Sequence, residues 1–218
     1  MNNIYVVGLP IGNLDDITLR AIQTLKDVDF IYSEKPLKTL KLLNHFEIKK
    51  SVFIYSQNPS PHLINQFLEK LSKGSIALVV EAGTPGISDP GNKLIHDLLI
   101  NNSDLNIMPI PGVSALTTSL SVSGLNTQEF IFLGFYPKTK KTKFIEKINA
   151  NKTVVFYESC HRILKTLKEI SQKTNKENIV ICRELTKLHE EVIRYKLQDL
   201  PDIIEKINPK GEFTIILN

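Results

Sequence analysis

The sequence is poor in cysteine and has no long apolar run, and both absences narrow the class of protein. Among its 218 residues only Cys160 and Cys182 are cysteines, which is too few for a disulfide framework and suits a reducing cytoplasm. The longest apolar stretches, such as Phe130–Tyr136, fall far short of the roughly 20 residues that span a bilayer. The first ten residues, MNNIYVVGLP, lack a basic region ahead of an apolar core, so we expect no signal peptide. With 42% hydrophobic and 23% charged residues, the composition is that of a soluble, intracellular globular protein.

Motifs for several common cofactors are also missing. The first apolar run leads into Gly8-Leu9-Pro10-Ile11-Gly12-Asn13, where a dinucleotide-binding G-x-G-x-x-G would need glycine in place of Pro10. No C-x-x-C or H-x-x-x-H spacing supports a metal site, and we predict none. Cys160 and His161 are adjacent, and neighbours on a strand or helix usually point apart, so we do not expect a thiol–imidazole pair.

Positive charge is concentrated in two segments. Lys138–Lys152 contains six lysines and one glutamate, and Lys35–Lys50 contains five lysines and one glutamate. Clustered lysine is the electrostatic footprint expected of a protein that binds a phosphate backbone. A solvated surface in a lysine-rich chain is the alternative, and the charge pattern alone does not decide between them.

Short apolar runs alternate with amphipathic stretches over almost the whole length. The candidate strands are Ile4–Gly8, Phe30–Ser33, Val52–Tyr55, Ile76–Val80, Ile107–Ile110, Phe130–Leu133, Val154–Tyr157, Ile179–Cys182 and Thr214–Leu217. The candidate helices are Thr18–Lys26, Leu37–His45, Pro61–Lys73, Asn92–Asn101, Val113–Val122, Lys141–Asn149, His161–Gln172 and Leu200–Asn208. This alternation predicts an α/β fold with largely parallel sheets.

A division into two domains is predicted after Pro111, giving domains over 1–111 and 112–218. Two turns rich in glycine and proline, Ala82–Gly91 and Pro109–Gly112, close the first domain. No flexible linker follows them, so we expect two abutting domains that share a cleft. A cleft that faces the ends of α/β strands is a usual place for a small ligand.

The segment Glu81–Gly91 has the composition of a rigid binding loop. It follows a buried run and holds three glycines and two prolines in eleven residues. Proline lowers the entropy cost of holding a turn, and glycine permits positive φ and a close approach to a ligand. A tight connection without a ligand needs far fewer residues, so we favour ligand binding. Pro111–Ala115 is a second candidate, since small side chains at a helix start leave room for a polar group, although a plain helix start explains it equally well.

Two further polar clusters, Phe156–Arg162 and Arg183–Glu191, follow apolar strands. In their order along the chain, these segments resemble the tetrapyrrole-methylase superfamily of S-adenosylmethionine (SAM) enzymes and, within it, the ribosomal small subunit methyltransferase I group. The resemblance lies in Val7–Asn13, Asp16–Arg20, Leu40–Phe46, Ala82–Gly91, Pro111–Ala115, Ser123–Leu125, Phe135–Pro137, Phe156–Arg162, Arg183–Glu191 and Pro209–Phe213.

The resemblance implies two abutting α/β domains with a SAM cleft between them, and a homodimer. It further implies cytoplasmic 2′-O-methylation of a cytidine ribose in the decoding region of 16S rRNA, with the small ribosomal subunit as partner and no membrane or metal. The SAM contacts that it implies are Pro10, Ile11, Gly83, Thr84, Pro85, Ser114, Ala115, Tyr157, Arg183, Glu184 and Leu185.

The sequence departs from that group after the strand Phe30–Ser33. The group usually reads Ala-Glu-Asp-Thr-Arg there, whereas this chain reads Ser33-Glu34-Lys35-Pro36-Leu37, so that only the glutamate is kept. A ribose hydroxyl is a poor nucleophile and benefits from a base or from a cation that stabilises the alkoxide. We therefore take Glu34 as the candidate base and Lys35 as the candidate cation. The chain stops at Asn218, where relatives commonly continue into a small RNA-contacting region, and we expect weaker RNA affinity that the lysine segments offset.

Two alternative functions remain open at this point. A methylase of a small tetrapyrrole or corrin precursor also fits a lysine-rich rim, because that substrate is a polyacid. A non-catalytic protein that binds SAM or RNA fits the altered Ser33–Leu37 segment, because an intact cofactor pocket with a lost acceptor site binds without turnover.

Overall fold

The structure is a computed structural model that describes residues 2–218. The chain forms two compact units, one ending at Ser114 and the other over Ala115–Asn218. The predicted domain division at residue 111 stays a prediction. Within the described residues, no helix has the length and apolarity needed to cross a membrane.

The first unit is a five-stranded parallel sheet with four helices. The strands are β1 Ile4–Val7, β2 Phe30–Ser33, β3 Val52–Ile54, β4 Ile76–Val79 and β5 Ile107–Ile110. The helices are α1 Leu19–Asp27, α2 Pro36–His45, α3 Pro61–Lys73 and α4 Asn92–Asn101. The spatial order is β3-β2-β4-β1-β5 and each neighbouring pair is parallel. Because the strands are parallel, all of their carboxyl ends lie at one edge of the sheet.

Local sequence explains both the helix starts and the burial of this sheet on its two faces. Thr18 caps α1 by accepting a hydrogen bond from the amide of Ala21 at 3.0 Å. Alternate residues of β2 point to opposite faces: Tyr32 packs against Phe67 of α3, with ring centroids 4.6 Å apart, whereas Ile31 belongs to a cluster with Leu25 of α1. The two faces are therefore covered by helices, as a parallel sheet requires.

The second unit is a five-stranded mixed sheet with four helices. The strands are β6 Phe130–Phe135, β7 Thr153–Ser159, β8 Asn178–Arg183, β9 Glu191–Lys196 and β10 Glu212–Leu217. The helices are α5 Ala115–Ser123, α6 Lys141–Ile148, α7 Ile163–Lys173 and α8 Leu200–Ile203. The spatial order is β6-β7-β10-β8-β9. Its core includes the aromatic cluster of Tyr136, Phe144 and Phe156.

The α/β class is confirmed, but the prediction of largely parallel sheets is wrong for the second unit. Only β6 and β7 pair in parallel, and the three other pairings are antiparallel. The last strand, β10, inserts between β7 and β8, and local sequence patterns carry no information about the direction in which a distant strand will pair. The α/β alternation therefore predicted the strands without their directions.

Two elements of the second unit also differ from the sequence prediction. Strand β9 was missed because its sequence, Glu-Val-Ile-Arg-Tyr-Lys, lacks apolar alternation and pairs only with β8 at the sheet edge. The helix predicted over Leu200–Asn208 is only Leu200–Ile203, flanked by 3₁₀ turns at Leu197–Asp199 and Ile204–Lys206. Consecutive short turns can bury apolar side chains at the same spacing along the chain as a continuous helix does.

Candidate functional site

Three of the predicted loops meet at the carboxyl edge of the first sheet. They follow β1, β4 and β5, which are neighbours in the order β4-β1-β5. The carboxyl edge of an open α/β sheet is where such folds bind ligands. The topology therefore brings Pro10 and Ile11, the Gly83–Pro85 segment and Ser114 to one edge.

The loops after β1 and β4 are joined by backbone hydrogen bonds. The amide of Leu9 donates to the carbonyl of Gly83 at 2.9 Å, and the amide of Gly83 donates to the carbonyl of Leu9 at 3.0 Å. Gly83 has a φ of +75°, which favours glycine, and a Cβ there would lie 3.4 Å from Cγ2 of Ile11. Ile11 and Gly83 are therefore direct neighbours on a rigid backbone.

The loop after β5 packs against the other two. Gly8 and Gly112 approach so closely that a Cβ on either would lie 2.8 Å from the backbone of the other. The hydroxyl of Thr84 donates to the carbonyl of Val113 at 3.2 Å. Ser114 is the next residue, so the structure brings Thr84 and the Ser114 segment together, and their shared role in binding SAM stays a prediction.

The long loop Ala82–Gly91 has a fixed path over its second half. The amide of Gly86 donates to the carbonyl of Pro90 at 3.2 Å, and the side-chain amide of Asn92 donates to the carbonyl of Gly86 at 2.8 Å. The buried hydroxyl of Tyr55, which follows β3, donates to the same Pro90 carbonyl at 3.1 Å. Burial raises the pKa of Tyr55, and the negative charges of Glu34 and Asp89 raise it further. The hydroxyl therefore stays protonated and remains a donor.

The candidate catalytic residues lie at the same edge, after β2. The hydroxyls of Ser33 and Thr39 share a buried hydrogen bond of 2.6 Å, and the Ser33 hydroxyl also accepts from the amide of Lys35 at 3.0 Å. These bonds fix the turn into α2, whose first residue is Pro36. Glu34 is half-buried and close enough to Tyr55 to influence its pKa, whereas Lys35 is exposed.

An ion pair that sequence reasoning missed crosses this edge. Lys38 of α2 donates to Glu81, which lies between β4 and the Gly83–Pro85 segment. The two residues are 43 positions apart, and no local pattern relates them. Only the adjacency of β2 and β4 in the sheet, which is itself a tertiary feature, brings them together.

In the second unit, Tyr157 lies within β7 and contacts two aromatic rings. Its ring centroid is 5.0 Å from that of Phe132 and 5.5 Å from that of Phe135, both in edge-to-face geometry. The neighbouring Glu158 is buried and accepts hydrogen bonds at 2.6 Å from both Thr166 and the Ser159 amide, while its ion pair with Arg162 is also 2.6 Å long. The Phe156–Arg162 segment is thus held by Glu158, through contacts within the segment and with Thr166 of α7.

Arg183 is a buried cation that holds the segment it begins. Its Nε donates to the carbonyl of Lys210 at 2.6 Å, and its Nη1 donates to the carbonyl of His189 at 3.1 Å and contacts Glu191 at 3.1 Å. Sequence reasoning identified Arg183 only as a cofactor contact. The structure gives its guanidinium a role in shaping the connection between β8 and β9.

Glu184 and Leu185 continue this segment. Glu184 has a φ of +51° and accepts hydrogen bonds at 2.9 Å from Lys187 and from the amide of Glu212. Burial acts to raise the pKa of Glu184, but these hydrogen bonds and the nearby positive charges outweigh it and lower the pKa. Leu185 is buried. A polar cavity of about 350 Å³ lies beside them, lined by residues 183–184 and 189–191 and by Asn208, Lys210 and Gly211.

The remaining polar side chains are the candidate metal ligands, Cys182 and the lysines of the two basic segments. Among residues 2–218, no group of three or more His, Cys, Asp or Glu side chains is placed to hold a metal ion. Burial raises the pKa of Cys182 to about 11, so its thiol is protonated at neutral pH. In the two lysine segments most side chains are exposed, with the exceptions of Lys141, which pairs with Glu169 at 2.5 Å, and Lys50, which donates to the carbonyl of Val28 at 2.6 Å.

Comparison with known proteins gives concordant results. The profile of a family described as Tetrapyrrole (Corrin/Porphyrin) Methylases matches residues 3–201. The chain is 39% identical to the ribosomal RNA small subunit methyltransferase I of Thermotoga maritima, over 100% of this chain and 99% of that protein. It is 40% identical to the protein of the same name from Halalkalibacterium halodurans, over 98% of this chain and 75% of that protein. Among solved structures, a diphthine synthase superposes with a TM-score of 0.74 at 14% identity, covering 100% of this chain and 90% of that one.

Proposed function

Because the chain belongs to the tetrapyrrole methylase family, and within it to the ribosomal RNA small subunit methyltransferase I group, we propose that it methylates the 2′-hydroxyl of a cytidine ribose in 16S rRNA. SAM is the methyl donor in this proposal. The full-length similarity to a protein named ribosomal RNA small subunit methyltransferase I is the observation that carries it.

The carboxyl edge of the first sheet has the properties that a small zwitterionic cofactor requires. Gly8 and Gly112 allow the loops after β1 and β5 to pack backbone against backbone, and the hydrogen bonds between Leu9 and Gly83 join the loops after β1 and β4. Backbone amides and carbonyls on rigid loops can pair with both the amino and carboxylate groups of such a ligand. The residues present therefore fit SAM.

The proposed SAM contacts are those identified from the sequence. In the first unit they are Pro10, Ile11, Gly83, Thr84, Pro85 and Ser114; in the second they are Ala115, Tyr157, Arg183, Glu184 and Leu185. Bound SAM supplies an electrophilic methyl group on a sulfonium. The rigid loops hold the donor in one orientation, and in an in-line displacement such alignment supplies a large part of the acceleration.

Glu34 and Lys35 are the proposed groups that act on the acceptor hydroxyl. As the oxygen–carbon bond forms and the carbon–sulfur bond breaks, the hydroxyl proton passes to the Glu34 carboxylate. Lys35 stabilises the negative charge that develops on the oxygen while its proton leaves and before the oxygen–carbon bond is complete. The bonds from Ser33 to Thr39 and to the Lys35 amide support this proposal, because they fix the backbone that carries both groups.

The small ribosomal subunit is the proposed partner, which places the reaction in the cytoplasm. The exposed lysines of Lys35–Lys50 and of Lys138–Lys152 supply positive charge of the kind that binding to an RNA backbone requires. Lys138, Lys140, Lys143 and Lys147 are exposed around α6 and lie on one continuous stretch of chain. The homodimer implied by the family resemblance belongs to the same proposal.

The proposal is tested by methyl transfer from radiolabelled SAM, with small ribosomal subunits that lack the modification offered as acceptor. We expect label in 16S rRNA. A parallel reaction with a porphyrin precursor tests the tetrapyrrole alternative, and equilibrium dialysis against labelled SAM tests binding without turnover. Label in the tetrapyrrole alone, or SAM binding without transfer to any acceptor, contradicts the proposed function.

A further inference from the structure

The ammonium of Lys38 is held at the carboxyl edge of the first sheet by its ion pair with Glu81. Lys38 lies in the first turn of α2, and Glu81 lies two residues beyond the end of β4. Lys50, from the same lysine segment, instead reaches the carbonyl of Val28 ahead of β2, at the opposite edge. Lys38 therefore carries its charge to the edge where the proposed acceptor groups lie.

The backbone on both sides of this ion pair is fixed. The residue after Lys38, Thr39, is anchored by its buried hydroxyl bond to Ser33. The loop after Glu81 is anchored by the two bonds between Leu9 and Gly83. If Lys38 exchanges Glu81 for another anion, the side chains of Lys38 and Glu81 therefore move while the backbone stays in place.

The ion pair itself is exposed and easily exchanged. The side chain of Lys38 is 65% exposed and that of Glu81 is 36% exposed. Exposed ion pairs are weak because water screens them and because two long side chains must be held in one geometry. A phosphate offers an alternative anion, and its contact with lysine also releases counterions from the nucleic acid. An RNA strand that reaches this edge can therefore displace Glu81 from Lys38.

From this geometry we propose that Lys38 binds a backbone phosphate beside the target nucleotide and that Glu81 is the partner it leaves when RNA binds. The inference rests on the proposed function, because it takes RNA as the substrate.

Charged groups of both signs lie near Lys38. Glu34, Glu81 and Asp89 are acidic groups at the same edge and repel a phosphate, whereas Lys35 and Lys41 are exposed basic groups on or next to α2. Glu81 thus competes with phosphate for Lys38, and this competition weakens the binding of nucleic acid that is not positioned for methyl transfer.

The test is a cycle of binding measurements with a single-stranded RNA of the decoding-region sequence. The proteins are the wild type, Lys38→Gln, Glu81→Gln and the double variant, each titrated over a range of salt concentrations. We expect Lys38→Gln to weaken binding on the order of threefold to tenfold and to reduce the salt slope by about 0.7. Glu81→Gln is expected to tighten binding, and the gain should be at most half as large when Lys38 is already replaced. Lys38→Arg, which keeps the charge, should restore affinity.

The signs of these effects separate phosphate binding from a structural role. If the ion pair merely held α2 in place, both single variants would weaken binding, and that result overturns the inference. An equal gain from Glu81→Gln in both backgrounds would reflect a general charge effect and also overturns it. Thermal unfolding of each variant shows whether its fold is intact.

A matched pair on α3 provides the control. Lys73 and Glu69 form an ion pair of 2.5 Å with a similarly exposed lysine, at the end of the helix that leads into β4 and hence at the opposite edge. Lys73→Gln and Glu69→Gln are expected to leave RNA binding unchanged. A wild-type protein that binds no RNA contradicts the proposed function together with this inference. A wild-type protein that binds and methylates RNA, with Lys38→Gln equal to Lys73→Gln, overturns this inference alone.

Discussion

Gly8 and Gly112 lie backbone against backbone where the loops after β1 and β5 cross, and a Cβ on either residue would lie 2.8 Å from the other. Neither residue has a positive φ that reserves the position for glycine, so steric contact alone makes glycine necessary there. The contact fixes how the Pro10–Ile11 turn lies relative to the Ser114 segment.

The first prediction concerns Gly112→Ala. We expect it to push the two loops apart, to destabilise the fold by about 1–3 kcal/mol, and to reduce methyl transfer by about a hundredfold because aligned groups are displaced. Calorimetric SAM titration and urea unfolding measure the effects on the cofactor site and on stability.

Gly124→Ala is the control. Gly124 has a φ of +73°, and a Cβ at this position would have no atom within 4 Å. The substitution is therefore expected to cost about 1–2 kcal/mol of stability without changing SAM affinity. Equal SAM affinity in both variants contradicts the role given to the glycine contact.

The second prediction concerns the hydroxyl of Tyr55. Tyr55→Phe removes one of the two donors to the carbonyl of Pro90 and leaves the Gly86 amide in place, so we expect a loss of about 0.5–1.5 kcal/mol in the free energy of unfolding. Turnover should also fall, because the loop that carries Thr84 and Pro85 loses an anchor. Urea denaturation and initial-rate measurements test both effects. Tyr195→Phe, at a partly exposed position in β9, should change neither quantity; similar losses in the two variants would contradict the anchor.

The third prediction concerns the buried carboxylate of Glu158. Glu158→Gln weakens its bonds with Thr166, with the Ser159 amide and with Arg162. Because Arg162 is partly exposed and can regain water, we expect a loss of about 1–3 kcal/mol rather than the full penalty of a buried unpaired charge. Urea denaturation measures this loss. Glu146→Gln, at an exposed position of α6, serves as the comparison, and a Glu158→Gln protein as stable as Glu146→Gln would contradict this account.

The fourth prediction is a pH dependence of stability through Glu169. The pKa of Glu169 is lowered to about 2. The main cause is the hydrogen bond from Lys141, and the hydrogen bond from Lys173 adds to it; together they outweigh burial, which acts to raise the pKa. Because the folded-state pKa is depressed, this stabilisation is fully present above the unfolded-state pKa of about 4.3 and is lost as pH falls toward 2.

Glu169→Gln removes that stabilisation at every pH. The difference in unfolding free energy between wild type and Glu169→Gln should therefore be constant above about pH 5 and should shrink as pH falls from 4.3 toward 2. Urea unfolding across this range measures it. A difference that stays constant down to the acid limit would show that Glu169 gains nothing from its lysine partners.

The sequence predicted the carboxyl-edge loops well for a physical reason. Apolar runs such as Ile76–Val79 mark buried parallel strands, and the chain that follows each of them must emerge at the same edge. That Gly83 and Thr84 lie near Ile11 and Ser114 was implied by the family resemblance, since no local pattern gives the order of the strands within the sheet. The contacts of Gly83 with Ile11, and of Thr84 with Val113, agree with that implication.

Other features could not be predicted because they depend on distant pairings. The antiparallel insertion of β10 between β7 and β8 determines the second sheet, and no local pattern encodes it. The partners of Arg183 are carbonyls at Lys210 and His189, which lie in other loops. Likewise, the partner of Lys38 follows from the order of β2 and β4 in the first sheet. The sequence shows directly which residues are charged, but it does not show which residues will be their partners.

The most direct test of the central claim is to identify the atom that receives the methyl group. Small subunits labelled by the wild-type enzyme are stripped of protein and the 16S rRNA is hydrolysed with alkali, which cleaves beside free 2′-hydroxyls only. The account predicts that the label is recovered in a single alkali-stable dinucleotide whose first nucleoside is cytidine, and that Glu34→Gln greatly reduces its amount. Label in a mononucleotide, which places the methyl group on a base, or an absence of label in RNA despite bound SAM, would contradict it.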